Sequence, residues 1–184
     1  MYQDVVIAGF GGQGVLFAGQ LLAYAGMMEE KHVAWFPSYG PAMRGGTASC
    51  TVIISDEVIA SPVVGNPMAA MVMNRPSMDK FEPLLKAGGV LVVNTSLITR
   101  PSEREDITVV EVPANAIADE LGNPRLANMA MLGAFIGVTR VLPLETVVTA
   151  LEKHLPERHR HLLEANKEAL QRGMAIAEGL KAEA

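Results

Sequence analysis

Two stretches of this 184-residue sequence combine residue types and spacing that could do chemistry. The first is Gly9-Phe10-Gly11-Gly12-Gln13-Gly14, which has G-x-G-x-x-G spacing. It follows the apolar run Val5 to Ala8 and precedes Val15, Leu16, Ala18, Leu21, Leu22 and Ala25, which recur at helical spacing. Glycines let a backbone approach a phosphate closely, and a helix start offers unpaired N–H groups and the positive end of a dipole. Gly11, Gly12, Gln13 and Gly14 are therefore candidate phosphate-binding residues. The second stretch is Ser38-Tyr39-Gly40-Pro41-Ala42-Met43-Arg44-Gly45-Gly46-Thr47. Hydroxyls, one guanidinium and a pliable backbone meet there, with three glycines and a proline that exclude a helix or strand interior. Arg44 is the only Lys or Arg between Lys31 and Arg75. It could fork onto a phosphate or carboxylate of a ligand or partner, or satisfy carbonyls of its own loop.

Taken alone, the glycine pattern leaves several readings open. A dinucleotide site also wants an acidic residue at the end of the second strand to hold ribose hydroxyls. That place is occupied by Phe36-Pro37-Ser38, while Glu29 and Glu30 come too early. A packing turn, a phosphate-bearing ligand and a protein interface remain. No Gly-Lys-Ser or Gly-Lys-Thr follows the glycines, and no serine nucleophile elbow is present. His159 and His161 are two apart on an expected helix and so point to different faces. Arg158 to His161 reads as a solvated face. Cys50 reads as a small core residue, and Met68, Met71, Met73 and Met78 as packing.

The elements that must position these loops follow from hydrophobic pattern. Strands are expected at Val5–Ala8, His32–Phe36 (stopped by Pro37), Ala48–Ile54, Ala69–Met73, Val90–Val93 and Ile107–Val112. Val58–Ala60 is expected to pair back on 48–54 as a hairpin across the Ser55-Asp56-Glu57 turn. Helices are expected after Gly14, over Ser77–Ala87 up to Gly88-Gly89, over Ala114–Leu121, and over Leu126–Leu142. The last of these is apolar almost all round and must be buried. Pro143 opens a further helix, and a long one spans Glu157 to about Gly179. The pattern predicts an α/β fold: a mostly parallel, Rossmann-like, three-layer sheet with a β-hairpin edge and C-terminal helices. One domain, 1–184, is expected, with 142–184 as a helical extension.

Composition limits the function. Apolar residues are 49% and charged residues 19%, with a mean hydropathy of +0.24, which excludes a disordered chain. A net charge of −5 argues against nucleic-acid binding through phosphates. One cysteine supports neither an internal disulfide nor four-thiolate cluster ligation. Val5 to Met28 lacks charge but carries many glycines, and Asp4 precedes it, so no membrane segment is expected and a cytoplasmic location is.

Together the two loops resemble the gamma subunit of 2-oxoacid:ferredoxin oxidoreductases. Gly-Phe-Gly-Gly-Gln-Gly-Val at 9–15 and Pro-Ser-Tyr-Gly-Pro-Ala-Met-Arg-Gly-Gly-Thr-Ala at 37–48 carry the likeness. Ile59-Ala60-Ser61-Pro62, Met73-Asn74 and Gly88-Gly89-Val90-Leu91-Val92-Val93-Asn94 support it. Ala42 departs from the pattern, standing where an acidic residue is expected. The resemblance implies oxidative decarboxylation of a 2-oxoacid with coenzyme A (CoA), giving acyl-CoA, carbon dioxide and reduced ferredoxin. The likeness leans to 2-oxoglutarate, with branched-chain 2-oxoacids next. It also implies that thiamine diphosphate, magnesium and iron–sulfur clusters sit on alpha, beta and ferredoxin-like partner subunits, and that ferredoxin accepts the electrons. The lone chain is then expected to be inactive, with a homodimer open to it. CoA would meet Gly11, Gly12, Gln13, Gly14, Ser38, Tyr39, Gly40, Arg44, Gly45, Gly46 and Thr47. A stand-alone dinucleotide-binding oxidoreductase and a purely architectural subunit are the alternatives.

Overall fold

The computed structural model describes residues 1–39 and 47–182. A six-stranded sheet forms its middle layer, in the order β2-β3-β1-β4-β5-β6. Its strands are β1 (Tyr2–Phe10), β2 (His32–Tyr39), β3 (Thr47–Ser55), β4 (Ala69–Val72), β5 (Val90–Asn94) and β6 (Thr108–Val112). β1, β4, β5 and β6 run parallel, and β3 pairs antiparallel with both β1 and β2. The expected mixed edge is present, but its hairpin is β2–β3 rather than 48–60. Both edges of β3 are already hydrogen-bonded, so Val58–Ala60 has no edge to join and stays outside the strands.

Pro37 does not stop β2, which continues to Tyr39. β2 lies at the rim of the sheet, and a residue without an N–H is tolerated on an edge strand. β1 is buried on both faces from Asp4 to Gly9, which explains its uninterrupted apolar run.

Alternation along β4 sorts the two cores. Ala69 and Met71 join the larger apolar cluster, whereas Ala70 and Val72 join a smaller one with Met78, Leu85 and Ile98. The larger cluster packs under α1 (Val15–Met28), α3 (Ala114–Glu120), α4 (Ala127–Thr139), α5 (Leu144–His154) and α6 (Leu163–Ala182). The smaller lies under α2 (Arg75–Phe81). The helix expected over 77–87 is therefore shorter and begins earlier. Asn74 caps it, its Oδ1 accepting from Ser77 N at 3.0 Å, and Pro83, which has no N–H to donate, turns the chain into a 3₁₀ segment at Glu82–Leu84. Pro143 stands just before α5 as its cap, and 157–162 is a 3₁₀ turn leading into α6.

As its composition demanded, α4 is buried along nearly its whole length, under α6 and the sheet. Among the described residues, no helix is long and apolar enough to cross a membrane.

Candidate functional site

The glycine loop closes on itself at the C-terminal end of β1. Gln13 N donates to Phe10 O at 3.2 Å, and the Gln13 side chain returns its Oε1 to accept from Phe10 N at 2.6 Å. Asn74 Nδ2 reaches the same oxygen at 3.4 Å. Gly12 and Gly14 hold φ of +93° and +73°, where a Cβ would be strained. The Gln13 N–H is thus taken up inside the turn. The N–H groups of Gly11, Gly12 and Gly14 have no acceptor among the described residues, and no side chain caps α1. Among the described residues the loop therefore presents unpaired donors at a helix start.

The sheet brings the second loop to the same place. Phe10 is registered against Thr47, Ser38 against Ser49, and Tyr39 against Ala48. Ser38 and Thr47 are exposed at this end of the sheet. Gly40, Arg44, Gly45 and Gly46 lie outside the described residues.

Amides gather along the same sheet end. Asn94 Nδ2 donates to Met73 O at 3.2 Å and to Asn115 Oδ1 at 2.8 Å. Asn128 Nδ2, from the first turn of α4, donates to Gly14 O at 3.1 Å. The neighbouring parallel strand β4 runs out into Met73-Asn74, so neither it nor β2 offers the acidic residue that a dinucleotide site needs.

Two cavities flank Gly12. The larger, about 250 Å³, is lined by Gly12, Gly14, Arg125, Asn128, Arg158 and His159 among others. The smaller, about 150 Å³, is lined by Gly12, Gln13, Met73, Asn115 and Arg125 among others. Arg125, Asn128, Arg158 and Asn166 were not singled out as candidates by sequence pattern. Arg158 and His159 look like one charged helical face, and only the fold shows that the turn after α5 comes back over the glycine loop.

The remaining candidates have structural settings. His159 Nε2 accepts from Arg158 Nε at 3.2 Å, and His161 is exposed. Among the described residues, no three His, Cys, Asp or Glu side chains gather as a metal site. Cys50 is buried, with Sγ 3.6 Å from Val15 O. Burial pushes its thiol up to about 12, against the opposing pull of the Trp35 indole N–H. Met71, Met73 and Met78 are core residues, in keeping with a packing role.

Comparison with known proteins adds a family context. The family model described as pyruvate ferredoxin/flavodoxin oxidoreductase matches residues 4–176. The chain is 45% identical over 137 residues to ketoisovalerate oxidoreductase subunit VorA of Methanothermobacter marburgensis, covering 73% of this chain but only 28% of that one. It is 33% identical over 183 residues to 2-oxoglutarate synthase subunit KorC of Methanocaldococcus jannaschii, covering 98% and 96%. A solved structure, the gamma subunit of a keto/oxoacid ferredoxin oxidoreductase from Geobacter sulfurreducens, is similar with a TM-score of 0.84 at 30% identity. It covers 97% of this chain and 98% of that one.

Proposed function

The chain belongs to the pyruvate ferredoxin/flavodoxin oxidoreductase family, and on that premise we propose that it is the gamma subunit of a 2-oxoacid:ferredoxin oxidoreductase that helps bind CoA. The overall reaction takes a 2-oxoacid anion and the CoA thiol to acyl-CoA and carbon dioxide. A pair of electrons passes to ferredoxin and a proton is released. Thiamine diphosphate, magnesium and iron–sulfur clusters are assigned to alpha, beta and ferredoxin-like partners, where they supply carbanion stabilisation and electron transfer. This chain is inactive alone and works in the cytoplasm. Its substrate is 2-oxoglutarate in the first reading and a branched-chain 2-oxoacid in the second. The names of the relatives from M. jannaschii and M. marburgensis support these two in turn.

The observation that carries the proposal is the backbone donors of Gly11, Gly12 and Gly14 at the start of α1, which have no acceptor among the described residues and lie beside the Ser38 and Thr47 ends of β2 and β3. CoA must aim its thiol at an acyl intermediate held by another subunit. A grip on its phosphates, remote from the thiol, supplies the positioning. Gly11, Gly12 and Gly14 would donate to phosphate oxygens, with the Gln13 side chain holding the loop closed. Ser38, Tyr39, Gly40, Arg44, Gly45, Gly46 and Thr47 would also contact the ligand, with Arg44 adding charge.

The first test is native mass spectrometry of a tagged copy purified anaerobically from its host. The proposal expects two thiamine-binding chains and a cluster-bearing chain alongside it. Emergence alone, carrying a bound nucleotide, would overturn it. In the purified complex, Arg44→Ala should raise the apparent KM for CoA while sparing CoA-independent carbon dioxide exchange. An unchanged KM would remove Arg44 from the site.

A further inference from the structure

We infer that the larger cavity beside the glycine loop selects a phosphomonoester attached to a nucleoside, and that Arg125 and Arg158 are the residues that read it. The inference rests on the proposal that CoA meets this chain at the glycine loop. It adds which end of the ligand lies there: the adenosine end, which carries a phosphomonoester far from the thiol.

Charge pairing and position together pick out the two arginines: Arg140 and Arg160 also lack a carboxylate partner among the described residues, but neither lines the cavity. Arg75, Arg100, Arg104 and Arg172 each sit against a carboxylate. Among the described residues, no carboxylate pairs with Arg125 or Arg158, although the chain carries an excess of acidic residues. Both arginines line the cavity that also holds Gly12 and Gly14. Two unneutralised guanidinium groups and an uncapped helix start thus share one space.

Their mounting is defined. Asn123 Oδ1 accepts from Arg125 N at 3.0 Å, and Pro124 fixes the preceding backbone in a 3₁₀ turn, so Arg125 stands on a braced support. Arg158 directs Nε to His159 Nε2 at 3.2 Å, which leaves both of its terminal nitrogens free to fork onto a phosphate.

The floor of the cavity points to more than a bare anion. Asn128 and Asn166 line it, and each is only 6% exposed. Asn128 donates its amide to Gly14 O and Asn166 donates its own to Leu162 O. No donor reaches either Oδ1 among the described residues. Two amide oxygens left open beside cationic groups suit a ligand that brings N–H or O–H donors together with its phosphate, as a nucleoside phosphate does. About 250 Å³ holds one end of CoA rather than the whole molecule. The smaller cavity borders the same Gly12 and Arg125 with neutral amides, Gln13 and Asn115, and gives the rest of the ligand a way out.

The test titrates the full chain by calorimetry with adenosine 3′,5′-bisphosphate, with 5′-AMP and with inorganic phosphate. The bisphosphate should bind at least about 10-fold more tightly than the other two, the scale of one charge-assisted contact. Arg125→Ala and Arg158→Ala should each cut that preference about 10-fold, and Arg158→Lys, which keeps charge but loses the fork, should fall between. Equal binding of all three ligands, or a preference that survives both substitutions, would overturn the inference.

The assembled complex separates this failure from failure of the underlying proposal. Kinetics with CoA and 3′-dephospho-CoA should show a preference for CoA that Arg158→Ala abolishes. If Arg158→Ala matches wild type while Gly12→Val raises the KM for CoA, the selection idea fails and CoA binding at the loop stands. If Gly12→Val leaves the KM unchanged as well, both fall.

Discussion

The side-chain amide of Asn128 donates to the carbonyl of Gly14 at 3.1 Å, joining residues 114 positions apart in the chain. Gly14 O also accepts from Ala18 N at 3.0 Å, in the first turn of α1. One carbonyl therefore anchors the start of α1 to the start of α4. Asn128 needs a donor there, because the partner is an oxygen that can only accept.

Asn128→Asp should consequently be worse than Asn128→Ala. Alanine loses one buried hydrogen bond, about 1 to 2 kcal/mol. Aspartate sets a buried negative oxygen against the Gly14 carbonyl and should cost about 3 kcal/mol or more. Urea unfolding of the two variants measures the difference, and equal midpoints would show that the amide is not the anchor.

Much of this architecture is legible in the sequence, for physical reasons that differ by element. The apolar run 5–8, the glycines after it and the helical spacing beyond it describe β1, its loop and α1, because burial on both faces leaves no polar interruption. The 126–142 segment, apolar almost all round, announces its own burial for the same reason. Local pattern fails where a non-local partner decides. Pro37 is tolerated only because β2 is an edge, and Val58–Ala60 is left out only because β3 already has two neighbours. The cavity wall is the clearest case. Arg125 and Arg158 are far apart in sequence and share no periodicity, so nothing short of the fold puts them beside Gly12.

The crossing of α4 on α6 leaves no room for a side chain at two glycines. A Cβ on Gly133 would land on the Leu170 carbonyl, and one on Gly173 on the Ala130 carbonyl. Backbone oxygens inside packed helices cannot swing aside, so each Gly→Ala change should cost about 3 kcal/mol. Calorimetry should show a Tm lower by about 6 to 12 °C for each. Gly179 on the same helix meets nothing within 4 Å, so Gly179→Ala should leave Tm unchanged or raise it slightly. A similar drop at all three positions would refute the close-packing account.

Glu82 should shape the acid limb of stability. Its side chain is almost fully buried, with Arg100 Nη2 at 2.8 Å, Glu103 N at 2.9 Å and the Ser102 hydroxyl on its carboxylate. Burial alone would raise its pKa. The Ser102, Arg100 and Glu103 donors outweigh burial and hold the carboxyl below its ordinary value. A lowered folded-state pKa means that the unfolded chain takes up the proton first as pH falls. The stabilisation is therefore complete above the ordinary carboxylate value of about 4.3 and is lost as pH drops through the lower folded value. Glu82→Gln should be less stable than wild type at pH 7, and the gap should narrow below about pH 4.3. Urea midpoints at pH 7, 5 and 3.5 test this; a constant gap would contradict it.

Cys50 should be inert in the native chain despite being its only thiol. Its sulfur is enclosed by β3, α1 and Trp35: a Cβ at Gly19 would collide with Sγ and lie 3.0 Å from the indole Nε1. With burial holding the thiol pKa at about 12, the thiolate at pH 8 amounts to about one molecule in 10⁴, set by the distance between pH and pKa. Thiolate is the reacting form, and steric closure compounds its scarcity. Iodoacetamide at pH 8 should leave the folded protein unlabelled over a period in which urea-unfolded protein reacts completely. Residual labelling should follow the equilibrium population of the opened chain and so scale with reagent concentration. Labelling of folded protein at the rate of a free thiol would mean that α1 lifts from β3, and the glycine loop that begins α1 would then lack the rigid base its phosphate contacts require.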